Sequence, residues 1–237
     1  MSDYERYQEW KSWEKSKFGR YTKDQSFYFQ RELTRCGVVL RKGLKVLEIG
    51  FGNGVFAGWA KDQGFDYLGL EGIEELVQIA SSSGFSVNHS SNDLKEFVAG
   101  ESQNVIVAFD VFEHIDICEL ELLLKKVRGW LRPNGLLIFR MPSGDSPFSR
   151  ALQYGDLTHK TVLGSSSVQQ LALSCGYRLE QVRAPSIPLR GLNVYRFIRR
   201  AFVLLGQTVT TKLIRIFFHD NRRTVISANM LVMMRKV

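Results

Sequence analysis

Short apolar runs alternate with amphipathic stretches from Leu44 onward. "KVLEIG" precedes "VFAGWAKDQG", "FDYLGLEG" precedes "EELVQIASSSG", "NVIVAFD" precedes "ELELLLKKVRGWLRPNG", and "LLIFRMPS" follows. The near-continuous apolar runs read as strands covered on both faces, and the helical spacing between them reads as packed helices. Strand and helix in alternation build parallel β-α-β units, hence an α/β, doubly wound sheet with helices on both faces. "RPNG" at 132–135 predicts a turn before the next strand. Past Ser165 the pattern gives a helix over "SSSVQQLALSCGY", a strand over "RLEQVRAP", a basic amphipathic segment, and a final strand over "SANMLVMMRK".

Two regions depart from this alternation. Residues 4–29 set Tyr4, Tyr7, Trp10, Trp13, Phe18, Tyr21, Phe27, Tyr28 and Phe29 in a polar background. They are expected either to fasten an N-terminal helix to the core or to form a lid, since aromatic rings bury large area in both settings. The organisation expected is an aromatic-rich helical lid over 1–40 and a main domain over 41–237 containing a basic insertion at 189–226. Within that insertion Val194, Phe197, Ile198, Ala201, Phe202 and Leu205 follow helical spacing, with Arg196, Arg199 and Arg200 on the other face. A second stretch repeats the design, with Val209, Leu213, Ile216 and Phe217 set against Lys212, Arg215 and His219.

Composition sharpens this picture in three ways. The 237 residues, 44% apolar, suffice for one large domain with a substantial core. The net charge of +8 is concentrated, with eight basic residues and one acid between Leu189 and Ser227. Such a patch suits a membrane surface or an anionic, lipid-linked molecule, and equally a solvated helix face. The three cysteines, Cys36, Cys118 and Cys175, lack any C-x-x-C pair, which argues against a disulfide framework or a zinc knuckle and for a reducing cytoplasm. The charged N-terminus has no secretory h-region, and no uninterrupted apolar run approaches the ~18 residues of a membrane span.

Candidate chemistry begins at "VLEIGFGNGVF", residues 46–56, where a carboxylate, Glu48, sits in an apolar strand and Gly50, Gly52 and Gly54 follow. The first strand-to-helix turn of a doubly wound sheet lies where ligands bind, and glycine lets backbone approach a ligand closely. Val55 stands where the dinucleotide fingerprint requires Gly or Ala, and no Lys-Ser or Lys-Thr pair completes a phosphate loop. Glu71 ends the second strand, 21 residues after Gly50, where an acid can accept ribose hydroxyls. The E-x-G-x-G-x-G turn resembles motif I of class I S-adenosylmethionine-dependent methyltransferases, and the resemblance runs from about Lys45 to Gly176. It implies a mostly parallel seven-stranded sheet and S-adenosylmethionine as cofactor. By the same resemblance Glu48, Gly50, Phe51, Gly52 and Gly54 border the amino-acid end of the cofactor. Glu71 and Gly72 then hold the ribose, Asp93 and Leu94 the adenine, and Phe109 and Asp110 the methionine moiety. An acid is sensible beside an ammonium and a sulfonium, where it would repel a pyrophosphate.

The acceptor sets the remaining requirement. A sugar hydroxyl needs a general base or a metal, and a phenol needs less help. His159, in "YGDLTHKTVLGSSS", with Asp156 three residues before it, and His114, in "DVFEHID", are the candidate catalytic groups. His89 and His219 read as structural, and Arg140 and Ser143 either as facing the acceptor or, within "FRMPSG", as simply finishing the fifth strand. Asp110, Glu113 and His114 form D-x-x-E-H, similar to the E-x-x-E-H of quinone-pathway O-methyltransferases thought to use magnesium, which implies a divalent metal; Asp in the first position shortens the reach.

The aromatic lid, the "GD-x-TH" segment and the basic insertion together resemble bacterial surface-polysaccharide methyltransferases. That resemblance implies O-methylation of a sugar hydroxyl in lipopolysaccharide O-antigen, capsule or a lipid-linked precursor, by an enzyme peripheral at the inner face of the cytoplasmic membrane. D-x-x-E-H instead favours a quinone-pathway or other small-molecule acceptor. A non-catalytic cofactor-binding scaffold is the competing class. Nucleic acid is not expected as a partner, because no amino-methylation motif and no basic groove interleaved with aromatics accompanies the charge.

Overall fold

The structure is a computed structural model that describes residues 10–11, 13, 15–92, 94, 97–189, 193–218 and 224–237. Tyr4, Tyr7, Asp93, Arg190 and His219 lie outside the described residues. The strands are β1 (Lys45–Ile49), β2 (Asp66–Glu71), β3 (Val87–His89), β4 (Gln103–Phe109), β5 (Leu131–Pro142), β6 (Tyr177–Arg183) and β7 (Asn229–Lys236). They form one sheet in the order β3-β2-β1-β4-β5-β7-β6. All pairs are parallel except β5 with β7 and β6 with β7. The doubly wound, mostly parallel seven-stranded sheet implied by the sequence is therefore present. Chain order reverses between β1 and β4, and their carboxyl ends open the crevice where the Gly50 turn and Asp110 meet.

The helices are α1 (Lys23–Arg35), α2 (Val55–Asp62), α3 (Glu74–Ser82), α4 (Ile117–Trp130), the single turn α5 (Arg150–Gln153), α6 (Ser165–Ser174) and α7 (Val194–Phe218). Thr22 caps α1 by accepting from the Gln25 amide at 3.2 Å, and the Gln25 side chain accepts from the Thr22 amide at 2.8 Å. The core lies on both faces of the sheet. One face packs Leu47, Ile106, Leu137 and Val232 against Leu120, Leu124, Val168 and Leu171. The other packs Val46, Val107 and Ile138 against Phe29, Leu33, Phe56 and Trp59. Phe29 thus belongs to the core, in ring contact with Phe56, Trp59 and Phe109. Lys11 and Trp13, farther toward the N-terminus, border a cleft instead.

Three expectations about local structure need correction. The "RPNG" residues leave the ladder as a turn signal requires, but within β5 rather than before it, Leu131 pairing with Gln103 and Leu136 with Val105. A β-bulge opposite Gln103 and Val105, with Asn134 at φ 61°, absorbs the turn residues. The two basic stretches form one helix, α7, since Gly206 costs an otherwise strong helix former too little to break it. Although no uninterrupted apolar run approaches a span, α7 is 25 residues long, has a mean hydropathy of 1.4 over its most apolar window, and is long and apolar enough to cross a membrane. Its dispersed cations, together with Gln207 and the threonines, interrupt every apolar run, so the property emerges only when the helix is seen whole.

Candidate functional site

Burial of a carboxylate must be offset by fixed donors, and the site is built around two such acids. Glu48, 3% exposed within β1, accepts a 2.7 Å hydrogen bond from the phenol of Tyr67 on neighbouring β2. Burial pushes its carboxyl up to about 8, with the Tyr67 hydroxyl opposing the shift and Glu71 adding to it. Glu71 closes β2 and accepts from three backbone amides, Gly52 at 2.9 Å, Gly72 at 2.7 Å and Ile73 at 3.2 Å. Burial raises it too, against those three donors. His89 steadies this corner from β3, its Nε2 lying 2.8 Å from the Gly72 carbonyl.

The turn between the acids has Gly50, Gly52 and Gly54 at φ 69°, 51° and 71°, a left-handed backbone that side chains resist. A Cβ at Gly50 would lie 2.5 Å from Val111, and one at Gly54 would lie 2.5 Å from the ring of Phe18. Trp13 lies against Gly52. The N-terminal segment is fastened there, with the Gly19 amide donating to the Asn53 carbonyl at 3.0 Å. The pattern of the glycines was readable; the rings covering them were not.

A cleft of about 710 Å³ opens over this turn, lined on one side by Glu48, Glu71 and Leu94 and on the other by Phe109, Asp110, His114 and Arg140. Phe51, Gly50, Gly52 and Gly72 also border it, so these sequence candidates converge on one space. Gly54 shapes the turn from behind. Asp110, at φ 58°, is bonded by Arg140 through both carboxylate oxygens, the Nε to Oδ1 bond being 2.8 Å. Arg140 in turn lies over the rings of Tyr28 at 5.3 Å and Phe109 at 5.7 Å. Asp110 is therefore engaged by a guanidinium.

The candidate base pair is rearranged. Asp156 and His159 were expected to pair, yet His159 Nε2 stands 3.8 Å from Asp156 and its Nδ1 lies 3.1 Å from the Gln153 carbonyl. The shorter bonds of Asp156 come from Thr158, whose hydroxyl donates at 2.6 Å and whose amide donates at 3.0 Å. Lys11 adds an ion pair at 3.3 Å. Burial would raise the Asp156 carboxyl, but the Thr158 donors and Lys11 hold it below its ordinary value.

Thr158 Oγ1 also lies 2.8 Å from His114 Nδ1. Its only proton goes to Asp156, so Thr158 accepts from His114; this fixes the Nδ1–H tautomer and makes Nε2 the basic nitrogen. His114 borders the cleft, whereas His159 and Asp156 stand behind it, the two imidazoles meeting edge to face at 4.7 Å. Burial, then the neighbouring His159, lowers His114 to about 4. Glu113, 1% exposed, has Oε2 without a hydrogen-bond partner among the described residues. Burial, then Asp110, pushes its carboxyl well up. Ligand atoms of Glu113, His114 and His159 lie within 4.8 Å of one another. Thr158 and Lys11 were missed because they act across a separation of 44 and 145 residues, for which local spacing gives no signal.

Comparison with known proteins agrees with this geometry. The Methyltransferase domain family matches over residues 21–182. Curated relatives include the ubiquinone biosynthesis O-methyltransferases of Agrobacterium fabrum, 33% identical over 103 residues, and of Rickettsia felis, 24% identical over 99 residues. Each match covers 40% of this chain and 40% of that protein, so the chain spans well under half the length of these relatives. A SAM-dependent methyltransferase from Archaeoglobus fulgidus has the same fold, with a TM-score of 0.61 at 17% identity over 89% of this chain and 94% of that one. The curated matches overturn the expectation of a surface-glycan enzyme. That expectation rested on overall layout, whereas the matched relatives carry quinone-pathway names. The family match over residues 21–182, on this sheet and around a glycine turn between two buried acids, makes the chain a member of the methyltransferase domain family.

Proposed function

We propose that the chain methylates a ring hydroxyl of a small, quinone-precursor-like molecule, with His114 as the base. The observation that carries this reading is the relay from His114, at the wall of the cleft, through Thr158 to Asp156 behind it. The names of the curated relatives support the acceptor class.

The residues fit the cofactor: the cleft is large enough for a nucleoside with an amino-acid arm, its turn has no room for added Cβ atoms, and two buried acids suit a cation. Glu48 would face the ammonium, Glu71 the ribose, and Leu94 the adenine; Asp93, proposed beside Leu94 from sequence, is outside the described residues. When bound, S-adenosylmethionine supplies an electrophilic methyl group on a sulfonium that departs as a neutral thioether. The protein's part is alignment and proton removal. His114 Nε2 would take the proton of the acceptor hydroxyl and so leave that oxygen nucleophilic. Asp156, ionised and linked through Thr158, stabilises the imidazolium as it forms. Arg140, held by Asp110, would border the ring of the acceptor.

Assay with a catechol bearing an apolar side chain tests this. His114→Ala should lower turnover by about 10²–10⁴ and Thr158→Val by a smaller factor, with cofactor affinity unchanged. Full turnover in both variants would remove the relay from the reaction.

The partnerless Oε2 of Glu113 favours a second reading. Glu113, His114 and His159 would hold a divalent cation, which supplies Lewis acidity that lowers the hydroxyl pKa. Two imidazoles and one carboxylate suit a transition ion better than magnesium, and Asp110 is excluded by its bonds to Arg140. Activity lost on dialysis against chelator and restored by manganese would favour this reading over the metal-free base.

A further inference from the structure

We propose that α7 is a monotopic anchor whose outer face lies in the interface of a bilayer rich in anionic phospholipid. Its half-buried, inward face mixes Ala201, Leu204 and Ile214 with two arginines, while its outward face is apolar. Arg200 reaches inward to Asp24 at 2.6 Å and to the Pro188 carbonyl at 2.7 Å, and Arg215 reaches the Thr224 carbonyl at 2.6 Å. The opposite stripe carries Tyr195, Ile198, Phe202, Leu205, Val209 and Leu213, all 48–76% exposed. No residue of the helix is buried. An apolar stripe of this extent facing outward marks an interaction surface.

The charge names the occupant. Residues 194–218 hold five cations and no acid. At 100° per residue Lys212 falls on one flank of the apolar stripe and Arg199 on the other, which sets both at headgroup level when the stripe is immersed. A second copy of α7 would oppose like charge to like charge, whereas an anionic leaflet complements it.

Topology decides between lying on the bilayer and crossing it. At 1.5 Å per residue α7 is about 38 Å long, enough to span. But β6 precedes it, β7 follows it, and the two pair directly in one sheet. A crossing would therefore force residues 219–228 back through hydrocarbon as a connection, with backbone groups that lipid cannot satisfy. On the inward side of the helix, Ile214 and Phe218 share a separate groove with the exposed Phe148 and Tyr154 of the segment leading to Asp156.

Co-sedimentation of the full chain with vesicles tests the proposal, and cofactor calorimetry on the same samples keeps it separate from the choice of acceptor. Binding is expected to phosphatidylglycerol-containing vesicles, weakened by salt, and far less to pure phosphatidylcholine. Phe202→Glu with Leu213→Glu should lower affinity at least about tenfold, and Arg199→Glu with Lys212→Glu about tenfold on the anionic vesicles, both retaining cofactor binding. Absence of vesicle binding, or equal binding by the glutamate variant, would overturn the proposal. So would a dimer of the parent chain that Phe202→Glu dissolves while vesicle binding persists. Quenching of a Val209→Trp reporter by bromines at the bilayer centre, and not near the headgroups, would likewise overturn it in favour of a span.

Discussion

The cleft and α7 break the same partition rule in opposite directions. In the cleft, acids are inside; along α7, aromatic and aliphatic side chains are outside. The difference lies in how each violation is compensated. Glu48 and Glu71 have fixed donors within the protein, from Tyr67 and from backbone amides, so the free protein tolerates them. Nothing within the described residues covers the outer stripe of α7. On the two proposals made above, compensation held inside the fold prepares a site for a small cation, whereas compensation left outside it calls for a bilayer.

Substitutions that shift either balance test this contrast, beginning with the largest expected effect. Gly50→Val forces a β-branched residue into φ 69° and against Val111, and should cost on the order of 3 kcal/mol or more in a denaturant titration while abolishing cofactor binding. Glu48→Gln comes next. Because the folded value of about 8 lies above the ordinary carboxylate range, the native protein holds a proton that the unfolded chain has released, and stability falls as pH rises from about 4.5 toward 8. The glutamine variant should lose that slope, becoming more stable than the parent at pH 8 by on the order of a few kcal/mol, yet bind cofactor at least about tenfold more weakly.

Tyr67→Phe is subtler. It removes the hydrogen bond that lowers the Glu48 carboxyl, so the pH at which cofactor affinity rises should move upward when followed by calorimetry. Smallest of all, Phe202→Ser and Leu213→Ser in solution should alter stability by no more than about 0.5 kcal/mol. A loss above 1 kcal/mol there would mean that the stripe is packed, and the comparison would fail.

Much of this was legible beforehand, for physical reasons. Strand and helix periods differ, so "KVLEIG", "FDYLGLEG" and "NVIVAFD" announce a parallel sheet, and three glycines behind an acid announce its first turn. What stayed hidden depends on contacts between distant segments. Trp13 and Phe18 lie on glycines some 40 residues away in sequence. Thr158 joins His114 to Asp156 because two loops meet at the carboxyl edge of the sheet. The outline of lid and insertion points to a glycan acceptor, which the names of the curated relatives contradict, because such an outline constrains the acceptor less than a local motif such as D-x-x-E-H.

The antiparallel insertion of β7 between β5 and β6 has a consequence for biogenesis. Among the described residues β6 pairs with β7 alone, and β7 follows α7 in the chain. During synthesis the greasy helix leaves the ribosome while the outermost strand still lacks a neighbour. The nascent enzyme therefore meets its surroundings at its stickiest before its scaffold is closed.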